Sequence, residues 1–355
     1  MRVAMDATPL TLSTGGIARY TRELSLALAR EFASDEVFLV SDQPFARALS
    51  WPPNVRWGAG ARTGPDRRWW LWGVQREMAR LQADVFHGTH FEVPLAPLRP
   101  SVATLHDLSP WMEPAWHTNA DRVRRRAPLL VRLGLATMIV TPSEAVRREA
   151  IERFRIHPSR ITAVPLAASS LFRPVAAKPR NTPYFLFAGT LEPRKNLGML
   201  VEAWREVRRR HPVDLVLVGR RREDFTDLAP ETGLDWLGEA PDEDLAALYS
   251  GAVAFVYPSL YEGFGLPVLE AMQCGTAVIT SKDPAITEVA GGAAVQVDAR
   301  DTKGWVEAMA AAVTQPDLLS AWRERSRLRA SGFGWARTAR LTREVYVEAI
   351  RRFRG

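Results

Sequence analysis

The feature that most constrains this fold is an alternation that runs through the chain twice. Short runs rich in Val, Ile, Leu and Phe are separated by longer amphipathic stretches. A strand that reads as a near-continuous apolar run is buried on both faces, as in a parallel sheet covered by helices. In the first half, strands are expected at Arg2–Asp6, Val37–Ser41, Asp84–His87, Val102–His106, Met138–Thr141 and Ile161–Val164, with helices such as Ile17–Glu31 and Ser143–Phe154 between them. Residues 173–183, Arg-Pro-Val-Ala-Ala-Lys-Pro-Arg-Asn-Thr-Pro, interrupt the pattern and read as a linker. Strands then resume at Tyr184–Ala188, Leu215–Val218, Ala254–Tyr257, Ala277–Thr280 and Ala294–Val297, with helices at Leu197–Arg210, Asp242–Ser250 and Pro267–Gln273. At 355 residues the chain is too long for one ordinary core and suits two α/β domains. The expected division is 1–172, a linker at 173–183, and 184–334. A last helix within 335–355, starting near Trp335, is expected to cross back to the first domain.

Composition narrows the setting. Hydrophobic residues at 46% and charged residues at 25% are globular values, which argues against wholesale disorder. A single cysteine, Cys274, cannot form an intrachain disulfide and fits a reducing compartment. The first residues look like a strand rather than a secretory leader, and no apolar run reaches the ~18 residues of a membrane span, so the cytosol is expected. The net charge of +7 is unevenly placed. Residues 1–175 carry 23 basic and 16 acidic side chains, whereas residues 176–355 carry 24 of each. The excess includes Arg122, Arg124, Arg125 and Arg126, either a solvated helix face or a surface drawn to anionic lipid or a phosphate-bearing acceptor. Trp69, Trp70 and Trp72 beside Arg67 and Arg68 add an aromatic-basic patch suited to a lipid interface, unless the tryptophans belong to the core. No nucleic-acid module accompanies the charge, so nucleic acid is not expected as a partner.

In doubly wound sheets, ligands bind at the carboxyl ends of strands, on the loops leading into helices. Four such loops carry chemistry. Thr14-Gly15-Gly16-Ile17 lets backbone approach a ligand and offers helix-start N–H groups to an anion. It lacks the G-x-G-x-x-G pattern, which removes a nicotinamide-dependent dehydrogenase. Gly189-Thr190-Leu-Glu-Pro-Arg194-Lys195-Asn196 places a planar fork and a point charge together, a pair suited to a diphosphate. Lysine occurs 4 times against 43 arginines, and cations at a helix start oppose its dipole by a few tenths of a kcal/mol, so ordinary surface charge explains the pair poorly.

The third loop is Glu262-Gly263-Phe264-Gly265-Leu266-Pro267-Val-Leu-Glu270, with two carboxylates eight positions apart. Its glycines can turn backbone amides toward an anion or hydroxyls, and Glu270 follows one turn into a helix, where it could accept from a vicinal diol. The fourth loop holds His106-Asp107 at a strand's carboxyl end, with His87 and His90 at a neighbouring strand as weaker candidates. Asp242-Glu243-Asp244 imitates a metal-binding D-x-D, but it opens an amphipathic helix, where acidic residues offset the dipole. Cys274 sits among small residues and reads as a buried thiol.

Together these residues resemble glycosyltransferase family 4, the retaining GT-B enzymes. The resemblance rests on the Glu262–Glu270 segment, on Gly189-Thr190 with Arg194-Lys195-Asn196, and on Gly15-Gly16. It extends to Pro142-Ser143, Pro258-Ser259, Cys274-Gly275-Thr276 and Trp335. The compact length and His-Asp-Leu segment are most similar to bacterial O-antigen mannosyltransferases of that family. The resemblance implies an α/β GT-B fold, two Rossmann-like domains facing across a central cleft, with the acceptor on the first and the donor nucleotide on the second.

It also implies roles. Arg194 and Lys195 hold the donor diphosphate, Glu262 binds the transferred sugar, Glu270 the ribose hydroxyls, and His106 the sugar from the other domain. Amides at Gly16 and Gly263–Leu266 contact phosphate and hydroxyls, and the loops at Gly219 and Leu237–Asp242 contact the base. The implied reaction moves a hexose, with mannose from GDP-mannose favoured, to a glycan or lipid-linked glycan in cell-surface polysaccharide or O-antigen assembly. No metal or cofactor is expected, and peripheral contact with the inner face of the membrane is. Rival readings are a UDP-sugar-dependent transferase, a nucleotide-sugar epimerase that needs no acceptor, a glycosidase that needs no donor nucleotide, and a nucleotide-binding membrane scaffold without turnover.

Overall fold

The computed structural model describes residues 1–11, 15–43, 51–59, 68–113, 116, 121–177, 180–223, 225 and 229–354. Thr14, Arg67, Lys178, Pro179 and the side chain of Arg122 lie outside the described residues. The chain forms two compact units. One comprises Met1–Met112, His117–Leu166 and Gly334–Gly355, the other Glu113–Trp116 and Ala167–Phe333.

The first unit holds seven strands, β1 (Arg2–Asp6), β2 (Glu36–Val40), β3 (Val55–Trp57), β4 (Val85–Gly88), β5 (Ser101–Thr104), β6 (Met138–Thr141) and β7 (Ile161–Ala163). Their order is β3-β2-β1-β4-β5-β6-β7 and every pair is parallel. Its helices are α1 (Gly16–Glu31), α2 (Val74–Arg80), α3 (Asp121–Arg132) and α4 (Glu144–Phe154). In α4, Ser143 is the N-cap, its side chain accepting from Val146 N at 3.2 Å, and Arg155 ends the helix at a left-handed φ of 54°.

The second unit holds β8 (Tyr184–Ala188), β9 (Asp214–Val218), β10 (Leu234–Trp236), β11 (Ala254–Tyr257), β12 (Val278–Ser281) and β13 (Val295–Val297), ordered β10-β9-β8-β11-β12-β13 and again parallel throughout. Its helices are α5 (Leu197–Arg208), α6 (Asp242–Gly251), α7 (Leu266–Gln273), α8 (Pro284–Ala290), α9 (Thr302–Thr314) and α10 (Pro316–Ala330). In both sheets the chain runs outward from one central strand, then returns to its other side. The order reverses between β1 and β4 and again between β8 and β11, and such switch points are where loops part to leave a crevice.

The final helix, α11 (Trp335–Arg354), belongs to the first unit and packs against α1. A buried polar chain anchors it. Tyr346 OH meets His87 Nδ1 at 2.6 Å, His87 Nε2 meets Thr104 Oγ1 at 2.7 Å, and Thr104 Oγ1 meets Tyr20 OH at 3.1 Å. Thr338 Oγ1 also donates to Pro165 O at 2.7 Å.

The structure departs from the sequence reading in four places. The change of unit falls at Leu166/Ala167, not after residue 172, because Ala167, Ala168 and Phe172 are buried with the second unit. There Phe172 packs edge-on against Tyr249, and Gln273 donates to Ser169 O at 2.8 Å. The expected linker is also less free than its composition implies, since Val175 N donates to Ser250 Oγ. Strands β3 and β10 were not anticipated. Both are three-residue edge strands, and β10 is only partly buried, so neither needs a continuous apolar run. Finally, the tryptophan patch is mostly core. Trp69 is buried beside Phe38, Val40 and Phe86, and Trp70 packs on the same cluster, which leaves only Trp72 well exposed.

Candidate active site

Two loops at the β8/β11 switch point carry the charge. β8 ends at Ala188, Gly189 follows at a φ of 148°, and a short turn, Pro193–Lys195, presents Arg194 and Lys195 before α5 begins. β11 ends at Tyr257 and leads through Ser259 to Glu262. Leu260 N donates to Arg194 O at 2.8 Å, which ties the loops through backbone, and the Arg194 guanidinium adds a bond from Nη1 to Tyr261 O at 2.9 Å.

Glu262 is the centre. Its Oε2 accepts from Arg194 Nη1 at 3.0 Å, while its Oε1 accepts from Lys195 Nζ, from Ser259 Oγ at 2.6 Å and from Tyr257 OH at 2.9 Å. Burial alone would raise the proton affinity of this carboxyl, but Arg194, Lys195 and the hydroxyl donors outweigh it and hold its pKa down at about 2. Lys195 is buried and donates also to Tyr257 OH at 2.7 Å. Its pKa is lowered, first by burial and then by the neighbouring Arg194 cation, despite the attraction of Glu262 and Glu192. The Tyr257 hydroxyl is pushed well above its ordinary value by burial and the Glu262 charge, so it remains a proton-bearing donor. Stacking on Phe187 at 5.6 Å and Phe255 at 5.5 Å fixes its ring.

Behind Arg194 stands Glu192, also buried, whose carboxylate pairs with Arg194 Nε at 2.6 Å and Arg222 Nη1 at 2.9 Å. Three cations, Arg194, Lys195 and Arg222, are thus ion-paired with two carboxylates, Glu192 and Glu262. The lowered Glu262 value reflects the cations, whereas the lowered Lys195 value comes first from burial.

The remaining second-unit candidates surround this cluster. Gly265 takes a left-handed φ of 97° that turns the chain from the Gly263-Phe264 segment into Leu266 and α7, and Phe264 is buried edge-on against Phe333. Glu270 is buried on α7 and accepts from Tyr249 OH at 3.2 Å. Thr190 is half-buried beside Gly189. Gly219 ends β9 at a φ of 135°, and a Cβ there would lie 2.0 Å from Gly189 O. Glycine is thus required where the β8 and β9 loops touch. Trp236 and Leu237, at the next strand end, are exposed, and the Trp236 indole N–H donates to Gly219 O at 2.9 Å. Asp242, Glu243 and Asp244 lie in the first turn of α6. Burial and the Glu270 charge push the Cys274 thiol up to about 12, which leaves it unreactive.

In the first unit, Gly15 takes a φ of 119° at the start of α1, and a Cβ at Gly15 or Gly16 would meet nothing within 4 Å. The loop is open, and only the Gly15 dihedral demands glycine. His106 Nε2 meets Thr89 O at 2.7 Å; a carbonyl can only accept, so Nε2 carries the proton and Nδ1 is left with its lone pair. Burial holds this imidazole down at about 4, neutral at physiological pH. Tyr20 packs edge-on against it at 4.8 Å. His87 is a strut of the buried chain to α11 rather than a site residue, and His90 is lowered by burial. Of the arginine cluster, Arg124 donates to Pro110 O and pairs with Asp121, and Arg126 pairs with Glu92 at 3.1 Å.

The structure places Arg194, Lys195 and Glu262 at loop ends and brings all three into contact. Glu192, Tyr257 and Ser259 join them, although the sequence does not single them out individually. Glu192 and Ser259 sat inside segments already singled out, but a counterion can be recognised only once its partners are known.

Residues 14–170 match the family described as Glycosyltransferase Family 4, and residues 169–329 match that described as Glycosyl transferases group 1. The chain is 32% identical to an O-antigen chain mannosyltransferase B of Escherichia coli, across 98% of this chain and 99% of that one. Among solved structures it resembles a sucrose-phosphate synthase from Thermosynechococcus elongatus, with a TM-score of 0.80, 20% identity and 98% of each chain covered. It also resembles Anabaena HepE solved in complex with UDP-glucose, with a TM-score of 0.73 and 16% identity over 98% of this chain and 99% of that one.

Proposed function

This chain belongs to glycosyltransferase family 4 and is a transferase enzyme of GT-B fold, and from that premise we propose that it moves mannose from GDP-mannose, with retention, to a glycan or lipid-linked glycan acceptor. The observation that carries the donor side of this reading is the cation pair Arg194 and Lys195, held side by side on Glu262 at the β8/β11 switch point. A nucleoside diphosphate is the ligand whose charge and oxygens suit that pair. The mannosyl choice follows the 32% identical Escherichia coli relative, which spans the whole chain.

When the glycosidic C–O bond of the donor breaks, positive charge grows on the anomeric carbon and negative charge on the departing phosphate. Arg194 and Lys195 meet that phosphate in this reading, and loss of one such donor costs ~3 kcal/mol in the barrier. As phosphate oxygens take over their N–H groups, Glu262 gives up the cations and turns to the sugar hydroxyls. Attack from the same face, with the leaving phosphate oxygen accepting the acceptor's proton, yields retention. Glu270, buried one turn into α7, is suited to the ribose hydroxyls. Neutral His106 is suited to accept a sugar hydroxyl at Nδ1. Charge compensation by side chains makes a divalent metal unnecessary, so saturating EDTA should spare most activity.

The deciding experiment is a thermal-shift screen against GDP, UDP, ADP and their sugars. A ligand at ~100 times its dissociation constant adds ~2.7 kcal/mol of stability. GDP and GDP-mannose should stabilise most; a larger effect of UDP-sugars would move the donor assignment, and no effect from any would sink it. Contact with anionic membrane is also proposed, now on the exposed face of α3, where Arg125, Leu129 and Arg132 lie, with Leu133 just after it. A basic residue near such a surface contributes ~1 kcal/mol. Vesicle binding should need anionic lipid, weaken with salt and drop when Arg125 and Arg132 become Gln. Equal binding to neutral vesicles would refute it.

A further inference from the structure

Glu262 is gripped from the front by cations and from behind by a second carboxyl. Asp283, just beyond β12, is 7% exposed. Its Oδ1 accepts from Ile286 N at 3.0 Å, as N-cap of α8, and its Oδ2 accepts from the backbone N of Glu262 at 3.2 Å. The two oxygens thus tie different elements together, and no cation side chain faces Asp283 in any hydrogen bond or ion pair among the described residues. Neighbouring residues of β12 brace the same loop. Ser281 Oγ donates to Ser259 O at 2.6 Å and Thr280 Oγ1 to Tyr257 O at 3.0 Å.

We infer that Asp283 is a positioning residue for Glu262: its carboxylate holds the loop backbone at Glu262 and so fixes where the Glu262 side chain stands when phosphate takes over Arg194 and Lys195. The inference rests on the reading of Glu262 as the sugar-facing carboxylate. N-capping alone would be satisfied by serine, threonine or asparagine, each with one accepting oxygen. A carboxylate serves the two amides with two separate oxygens, one on each element. The groups around the pair are Arg194, Lys195 and Glu192 from the β8–α5 loop, Tyr257 and Ser259 at the end of β11, and the amides of Ala285 and Ile286 in α8. Burial, with Glu262 adding to it, pushes the Asp283 carboxyl up to about 6, so its charge changes within the working range.

The test compares Asp283→Ser with Glu262→Gln in the intact enzyme, measuring kcat, donor KM, unfolding midpoint and pH profile. Serine keeps the cap but cannot reach Glu262 N. The expected result is a kcat lowered roughly tenfold, a donor KM little changed, a near-native unfolding midpoint, and loss of the acid limb of kcat near pH 6. If Glu262→Gln impairs turnover while Asp283→Ser does not, Asp283 is only a helix cap and the inference fails. A kcat loss that merely tracks loss of folded enzyme, with the acid limb intact, also overturns it. An unimpaired Glu262→Gln enzyme would remove Glu262 from the sugar, and the inference with it.

Discussion

Replacing Lys195 by methionine, then adding Glu262→Gln, separates what the buried pair does for stability from what it does for turnover. Lys195 is 4% exposed, and its ammonium donates to Glu262 and to Tyr257 OH. Methionine keeps the stem and removes the charge. Breaking a buried pair from one side costs about 3–5 kcal/mol, because the other charge is left behind. Here Glu262 would keep Arg194, Ser259 and Tyr257, which places the expected cost at the low end, ~3 kcal/mol. Adding Glu262→Gln removes the stranded charge, and the double variant should recover ~1–3 kcal/mol, the coupling expected of side chains in contact. Turnover should behave differently. In the proposed function Lys195→Met deletes a donor to the leaving phosphate, worth roughly 10²–10³ in kcat, and no second substitution restores it. Urea unfolding, run beside initial rates at saturating donor, reads both quantities on the same preparations. A double variant that regains activity together with stability, or a Lys195→Met enzyme with most of its kcat, would refute the reasoning.

Glu270→Ala should weaken nucleoside diphosphate binding by at least about tenfold, given ~1.5–3 kcal/mol for a hydrogen bond to a charged group; unchanged affinity by calorimetry would take Glu270 out of the ribose role. Gly219→Ala forces a Cβ to within 2.0 Å of Gly189 O at a φ of 135°, so a loss of more than ~3 kcal/mol is expected; a soluble variant with a native unfolding midpoint would contradict it. In acid, the two units should fail in sequence. His87 and His106 are buried neutral, with folded values of about 3 and 4 against 6.5. Their contribution is complete above pH 6.5 and falls by ~1.4 kcal/mol per pH unit each as the unfolded state takes up protons. Asp6, raised by burial to about 6, offsets part of this in the same unit. Glu262, lowered to about 2 from 4.5, keeps its contribution down to pH 4.5 and loses it toward 2. Acid titration followed by hydrogen exchange should therefore open the first unit before the second; the reverse order would contradict the assignment.

What was legible in the chain is what depends on one element and its own burial. Central strands such as Arg2–Asp6, Tyr184–Ala188 and Ala254–Tyr257 are covered on both faces, so their apolar runs are uninterrupted and visible. Glycine and paired charges at a strand's end stand out in the chain, which made Gly189, Arg194, Lys195 and the Glu262–Glu270 segment visible. The edge strands Val55–Trp57 and Leu234–Trp236 lie against one neighbour only, and their short mixed sequences carry no such signature. Everything set by strand order was beyond reach. Lys195 and Glu262 are 67 positions apart, and Asp283 lies 21 beyond Glu262. They meet because β11 pairs with β8 on one side and with β12 on the other. The same holds for Trp69 and Trp70, whose aromatic-basic neighbourhood suggests a membrane surface until packing against Phe86 decides otherwise. Local sequence specifies which side chains a loop presents; only the closed sheet specifies which charges those side chains must face, because a buried charge takes its state from neighbours distant along the chain.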